Sequence, residues 1–370
     1  MKRIAVLSHR DIRHYAGGGA PLYVHEILRR LTGKYDITIV STAESGLPER
    51  EVIDGLKIIR IPHPRLARIA VPLSTLTRLV EGADIIIDNG DVAIPWLTPL
   101  YVRGRKICLV YQVAGEIFRH ELRRPLSDIA IMIEPWVYRA YRNTQIITCS
   151  DSTKKDLVSL GLAKKDIHVV KPGIDGTFAE MTQNGRKFES PTIVCISRFT
   201  RYKGLQYAIR AMRYVIESVP DAQLIIVGNG DDSLMQRELS HVSYSEAIKI
   251  VKRAPHGWNE EKRKLLSSAH VVLMPSVREG YGIVAIEANA CGTSAVGWDV
   301  PGLRDSILDG KTGILVPFDD TEMMAKQVVT LLKDDALRER MAASAVKWAR
   351  THSWDVAADK FDGVLDAIWG

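Results

Sequence analysis

Residues 276–293 read SVREGYGIVAIEANACGT, with two glutamates, Glu279 and Glu287, around a Gly-Tyr-Gly turn and a run of small apolar residues. Glu279 stands among turn formers. Glu287 lies in a stretch patterned as a buried helix, where a carboxylate is costly unless a partner meets it. The helix is expected to start near Tyr281 or Gly282 and to end before Gly292, which suits a C-terminal cap. Backbone N–H groups at such a start lack helical partners and favour a negative ligand. Two readings fit. In one, a diphosphate lies between the carboxylates, one of which meets sugar hydroxyls and the other ribose hydroxyls. In the other, Glu279 caps the helix and Glu287 pairs with a buried base.

Two further stretches carry groups suited to phosphate. ISRFTRYKGL at 196–205 has Arg198 at the end of a strand-like run and Lys203 beside Gly204 at a helix start. Arginine offers a fork of donors and lysine a point charge, a combination that suits a diphosphate. A solvated basic loop is the alternative, and it fits Arg201 better. HRDIRHYAGGGAPLY at 9–23 sets Gly17, Gly18 and Gly19 just before a helix. Glycine lets backbone N–H groups approach an anion closely. This is not the dinucleotide fingerprint. Nor is GKT at 310–312 a P-loop, because Asp305 stands where the first glycine is required.

The elements that must position these residues alternate along the whole chain. Strand-like runs such as KRIAVLS, YDITIVST, LKIIRIP, ADIIIDN, RKICLVYQ and TQIITCS are separated by helical patterns such as PLYVHEILRRLT. Continuous β-branched runs such as IIID and IVCIS read as strands buried on both faces, hence parallel strands covered by helices. A polar stretch at 176–190 interrupts the alternation and reads as a linker. The fold class is therefore α/β, with two Rossmann-like doubly wound domains facing across a cleft. The expected boundaries are 1–175 for the N-terminal domain, 176–190 for the linker and 191–352 for the C-terminal domain. Ligands of open parallel sheets sit at the carboxyl ends of the strands.

The bulk numbers exclude several classes. The chain has 370 residues, 46% apolar and 25% charged, which suits about two globular domains. The formal net charge of +6 suits anionic partners only mildly. The basic residues are scattered and no recognition motif appears, which argues against nucleic-acid binding. Cys108, Cys149, Cys195 and Cys291 show no CxxC spacing and read as buried free thiols of a reducing cytoplasm. No Asp-x-Asp, HExxH or EF-hand loop occurs, so no metal and no other cofactor is expected. No run reaches the roughly 20 apolar residues of a spanning helix, and the N-terminus reads as a strand rather than a signal peptide. Residues 60–79, with Arg60, Arg65, Arg68 and Arg78, and the cluster Arg119, His120, Arg123 and Arg124 suit either an anionic membrane surface or plain solvent.

In combination these motifs resemble the retaining family-4 glycosyltransferases of the GT-B fold. Arg198 and Lys203, Glu279 and Glu287 with seven residues between them, and the early glycine loop stand in the family's order. PSVREGYGIVAIEANACGT is very similar to its signature segment. GNGDD at 228–232, PGLRDSILDGKTGILVP at 301–317 and HSWD at 352–355 also resemble it. The resemblance covers essentially the whole chain.

The resemblance implies a nucleotide-diphosphate sugar, UDP- or GDP-linked, as donor. Arg198 and Lys203 would neutralise the diphosphate, and Glu279 would contact the transferred sugar. The Gly280, Tyr281, Gly282 and Ile283 segment would hold sugar and phosphate, and Glu287 the ribose. Gly18 and Gly19 would approach from the other domain, and a C-terminal helix at 353–370 would pack back on the N-terminal domain. The family often has a histidine where this chain has Tyr111 and Gln112; His120 is the nearest later histidine. The implied activity is hexose transfer with retention to a sugar or lipid-linked acceptor hydroxyl, in glycan, lipid-linked oligosaccharide or cell-envelope polysaccharide synthesis. The implied place is the cytoplasm, or the inner face of a membrane. Two alternatives are a UDP-sugar 2-epimerase of the same fold and a non-catalytic sugar-nucleotide-binding protein.

Overall fold

The computed structural model describes residues 1–15, 17–61, 77–78, 80–90, 95–180, 186–253 and 257–369. The chain divides into two compact units. The first comprises Met1–Pro172 with Trp354–Gly370, and the second Gly173–Ser353.

The first unit runs β1 (Lys2–Leu7), α1 (Gly19–Arg30), β2 (Tyr35–Thr42), β3 (Arg50–Ile53), β4 (Leu56–Ile61), β5 (Ile85–Gly90), β6 (Arg105–Val110), α2 (Ile117–Glu121), α3 (Leu126–Arg139), β7 (Gln145–Thr148), α4 (Asp151–Ser159) and β8 (Ile167–Val169). The strand order is β3-β4-β2-β1-β5-β6-β7-β8. Every pairing is parallel except β3 with β4. Sequence reasoning missed β3. Its residues alternate exposed and half-buried at the sheet edge, so no apolar run marks it. Asp54 and Gly55 join it to β4, both with positive φ, the turn geometry that matches strand twist in a two-residue hairpin. Ala5, Leu7, Val40, Ile86 and Trp96 belong to one buried cluster of this unit.

The second unit contains α5 (Thr177–Glu180), β9 (Thr192–Ile196), α6 (Leu205–Ser218), β10 (Gln223–Gly228), α7 (Ser233–Leu239), β11 (Ile248–Lys252), α8 (Asn259–Ser268), β12 (Val271–Met274), α9 (Ile283–Ala290), β13 (Ala295–Trp298), α10 (Leu303–Ser306), β14 (Gly313–Val316), α11 (Thr321–Lys333) and α12 (Asp335–Ala349). Its six strands, in the order β11-β10-β9-β12-β13-β14, are all parallel. This is the doubly wound order, and its direction reverses between β9 and β12. The loops that leave those two strands therefore flank the place where such sheets bind ligands.

The stretch read as a linker is partly built into this unit. Lys187 donates to the Ser267 and Ala269 carbonyls and to Thr293 Oγ1, at 3.0, 2.6 and 2.9 Å. Polar composition suggested a free connection, but the lysine is held by the ends of α8 and the turn before β13. Residues 181–185 lie outside the described residues. The last helix, α13 (Trp354–Trp369), belongs to the first unit and packs on α1. All four cysteines are buried free thiols. Among the described residues no helix is long and apolar enough to cross a membrane.

Candidate active site

The second unit brings Arg198, Lys203, Glu279, Gly280–Ile283 and Glu287 to its switch point. β9 delivers Arg198 just past its carboxyl end, and the turn at 201–203 ends in Gly204 with φ of 68°. A Cβ on Gly204 would lie 2.0 Å from the Pro275 carbonyl oxygen, so glycine lets this turn touch the loop after β12. The Val277 N–H donates to the Tyr202 carbonyl at 2.8 Å and locks the two loops together. Gly302 does the same for the loop after β13. Its φ is 85°, and a Cβ there would stand 2.1 Å from the Glu279 carbonyl oxygen.

Within this frame Lys203 Nζ donates to Glu279 Oε1 at 2.6 Å, and Ser276 Oγ donates to the same oxygen at 2.7 Å. Both partners of the ion pair are almost enclosed. Burial works against charge on Lys203, but the Glu279 carboxylate outweighs it and its pKa stands above the ordinary lysine value. Arg198 Nη2 donates to the Tyr202 hydroxyl at 2.9 Å. Glu279 does not cap α9; Gly282 occupies that position, with φ of 87° and no side-chain cap. Glu287 is buried on α9, and its Oε2 makes an ion pair with Lys262 of α8 at 2.5 Å. The buried-base reading of Glu287 describes this arrangement.

The Tyr281 side chain is buried and its hydroxyl lies 2.5 Å from His352 Nε2. His352 Nδ1 faces the Trp348 carbonyl at 3.1 Å, which puts the proton on Nδ1 and makes Nε2 the acceptor of the tyrosine O–H. The Tyr281 hydroxyl therefore ties the turn to the end of α12. Ser276, Tyr202 and Lys262 were missed as site residues. Lys262 had no local mark, because its partner lies 25 positions on. Ser276 stood three residues before Glu279, and that spacing was the available signal.

In the first unit Gly18 precedes α1 and Gly19 opens it. Tyr111, one residue past β6, donates its hydroxyl to Asn89 Oδ1 at 2.9 Å and to the Ala20 carbonyl at 3.3 Å. Asn89 in turn donates to Ser8 Oγ at 2.9 Å. Tyr111 is thus tied to the loop after β1 and to the start of α1. Gln112 is half-buried, and its carbonyl accepts from the Tyr138 hydroxyl at 3.5 Å. His120 is half-buried in the last turn of α2. Arg60, read from sequence as surface charge, is fully buried. Its guanidinium donates to the Asp11 carboxylate at 2.8 and 3.0 Å and to the Pro48 carbonyl at 2.9 Å, which fastens the loop after β1. Arg65 and Arg68 lie outside the described residues. Among the described residues no three His, Cys, Asp or Glu side chains gather as a metal site would require.

Comparison with known proteins decides the family. Residues 17–178 match Glycosyltransferase Family 4 and residues 177–348 match Glycosyl transferases group 1. The chain belongs to these glycosyltransferases. It is 28% identical to alpha-maltose-1-phosphate synthase of Mycolicibacterium smegmatis over 97% of both chains. It is 26% identical to D-inositol 3-phosphate glycosyltransferase of Corynebacterium diphtheriae over 94% of this chain and 89% of that one. Sucrose-phosphate synthase of Thermosynechococcus elongatus superposes with a TM-score of 0.78 at 20% identity, covering 100% of this chain and 99% of that one. HepE of Anabaena in complex with UDP-glucose superposes equally well, at 0.78 and 14% identity, over 99% of this glycosyltransferase and 100% of that chain. The two α/β units are those of the GT-B fold.

Proposed function

We propose that this glycosyltransferase moves a hexosyl group from a UDP- or GDP-sugar to an acceptor hydroxyl, with retention at the anomeric carbon and without a metal. The carrying observation is the set Arg198, Lys203 and Glu279 at the reversal between β9 and β12. In the reaction the acceptor oxygen bonds to C1 as the bond from C1 to the β-phosphate oxygen breaks. The electron pair leaves on the diphosphate, and a phosphate oxygen takes the acceptor proton. Arg198 and Lys203 stabilise the charge that develops on the leaving group, the work a divalent ion would otherwise do. Lys203 also holds Glu279 through Oε1, leaving Oε2 for a sugar hydroxyl. Glu287 exchanges its Lys262 contact for ribose hydroxyls. Gly18 and Gly19 meet the β-phosphate, and Tyr111, Gln112 and His120 serve the acceptor side.

The UDP-glucose held by HepE and the sugar-transfer names of the relatives support a nucleotide-sugar donor. A sugar or a lipid-linked sugar is the acceptor class, and glycan, lipid-linked oligosaccharide or cell-envelope polysaccharide synthesis the setting. The buried free thiols suit a cytoplasmic protein. The test is a thermal-shift screen of UDP-, GDP- and ADP-sugars with EDTA present, because a ligand of the folded state raises its stability. NMR of the best donor then follows the anomeric proton with and without acceptor. An α-linked product from an α-linked donor, formed in EDTA, is expected. An inverted product, or loss of turnover in EDTA, overturns the corresponding part. Conversion of the sugar without acceptor indicates an epimerase instead.

A further inference from the structure

Helix α3 of the first unit is amphipathic in the wrong sense for a soluble surface. Its inward face holds a carboxylate: Glu134 accepts the Ala114 N–H at 2.6 Å and the Gly115 N–H at 2.8 Å, in the loop after β6. Ser127, Val137 and Tyr138 are buried beside it. These contacts fix the helix's rotation, and at 3.6 residues per turn they force the opposite face outward. That face is Leu126, Ile129, Met132, Ile133 and Trp136, between 43% and 65% exposed. Leu122, 39% exposed, extends it toward α2. A contiguous stripe of this kind is not the ordinary scatter of surface leucines.

The rim of the stripe is basic. Arg119, Arg123, Arg124, Arg139 and Arg142 are exposed in this segment, against exposed Glu116, Glu121 and Asp128. Arg119 pairs with Glu116 at 3.0 Å, and Arg124 with Asp128 at 3.6 Å. The Arg139 guanidinium rests 4.6 Å from the Trp136 ring centroid, a cation beside an aromatic at the edge of the apolar face. Arginine and tryptophan at the margin of an apolar helix face match the polar–apolar boundary of a bilayer.

We infer that α3 docks this protein on an anionic lipid surface, with Leu126, Ile129, Met132, Ile133 and Trp136 entering the headgroup boundary and the flanking arginines meeting lipid phosphates. Charge complementarity favours this occupant over a second copy of the chain. A two-fold contact through the stripe would set one arginine-rich rim against another. The inference does not depend on which sugar is transferred.

Sedimentation of the full chain with phosphatidylcholine vesicles, and with vesicles carrying 30% phosphatidylglycerol, tests it. Binding to the anionic vesicles is expected to be about tenfold tighter or more, because several arginines near the surface each add to it. Salt at 0.5 M weakens it by a similar factor, as screening shortens the reach of the charges. Met132→Glu with Trp136→Glu abolishes binding while the unfolding midpoint stays put, since both side chains are exposed. Should that variant not fold, Met132→Cys carrying an environment-sensitive dye gives a second reading, a blue shift on anionic vesicles alone. No association of the wild type with anionic vesicles at low salt overturns the inference. So does undiminished binding by the glutamate variant, a dye spectrum unmoved by vesicles, or a wild-type dimer that this variant makes monomeric.

Discussion

On the proposed reading, Lys203 serves stability and chemistry through one side chain. It is enclosed with Glu279, so removing it leaves a carboxylate that, among the described side chains, Ser276 alone still meets. Lys203→Met is expected to lower stability by about 3 kcal/mol, the usual loss when one partner of a buried pair goes. The double variant Lys203→Met with Glu279→Gln removes the charge as well and is expected to recover most of that loss. Sugar transfer is absent in both. Chemical denaturation beside a donor-turnover assay separates the two effects, and a double variant no more stable than the single one contradicts the pairing argument. Tyr281 makes the opposite case. Its hydroxyl is committed to His352, so Tyr281→Phe is expected to cost about 1 kcal/mol of stability and to leave kcat/KM within about threefold of wild type. A loss of a hundredfold in kcat/KM with unchanged stability would instead assign the hydroxyl to the sugar.

At the scale of elements, the carboxyl ends of β9 and β12 bring the candidate site together, and their amino ends are pinned by one histidine. The His270 N–H donates to the Thr192 carbonyl at 2.9 Å, and the Thr192 N–H donates to His270 Nδ1 at 3.0 Å. Burial, then the nearby Arg338 and Lys187 charges, push the imidazole down to about 4 from 6.5. Between those values the unfolded chain takes up a proton that the folded chain refuses. The stability this one group contributes is therefore fully present above pH 6.5, falls as the pH drops, and is gone below about 4. His270→Asn offers the Thr192 N–H an acceptor that does not titrate, and the unfolding midpoint is expected to be flatter between pH 4 and 6.5. An unchanged acid slope assigns that slope to other groups. These two strands were legible because burial on both faces writes continuous apolar runs, IVCIS and HVVLMPS. The edge strand β3 was not, because one side of it meets solvent. Arg198, Lys203 and Glu279 were legible as candidates because each follows a strand end or a turn, and Glu287 because it is a carboxylate inside an apolar helix. Lys262, the buried Arg60 and the anchored Lys187 were not, because their partners are set by tertiary packing.

At the scale of the whole molecule, the first unit is completed by the far end of the chain. Trp354, Phe361, Val364 and Leu365 of α13 are buried in it. Asp355 accepts from Arg30 at 2.6 Å, Asp362 from Lys34 at 2.7 Å, and Asp362 also from the Tyr35 hydroxyl at 2.7 Å. Burying four such apolar side chains is worth on the order of 8 kcal/mol as an upper figure. That matches the entire stability of an ordinary domain. The surface ion pairs add little to it. Ending the chain after Ser353 is therefore expected to unfold the first unit, while Gly173–Ser353 keeps its own buried strands. Amide exchange measured on both lengths reads the two units separately. In the shortened chain β1, β2 and α1 lose protection, while β9, β10 and β12 retain it. Full protection of β1 and β2 after truncation would show that α13 is a peripheral addition. Loss across both units would show that the chain unfolds as one body, with α13 a condition for the strands of the second unit as well.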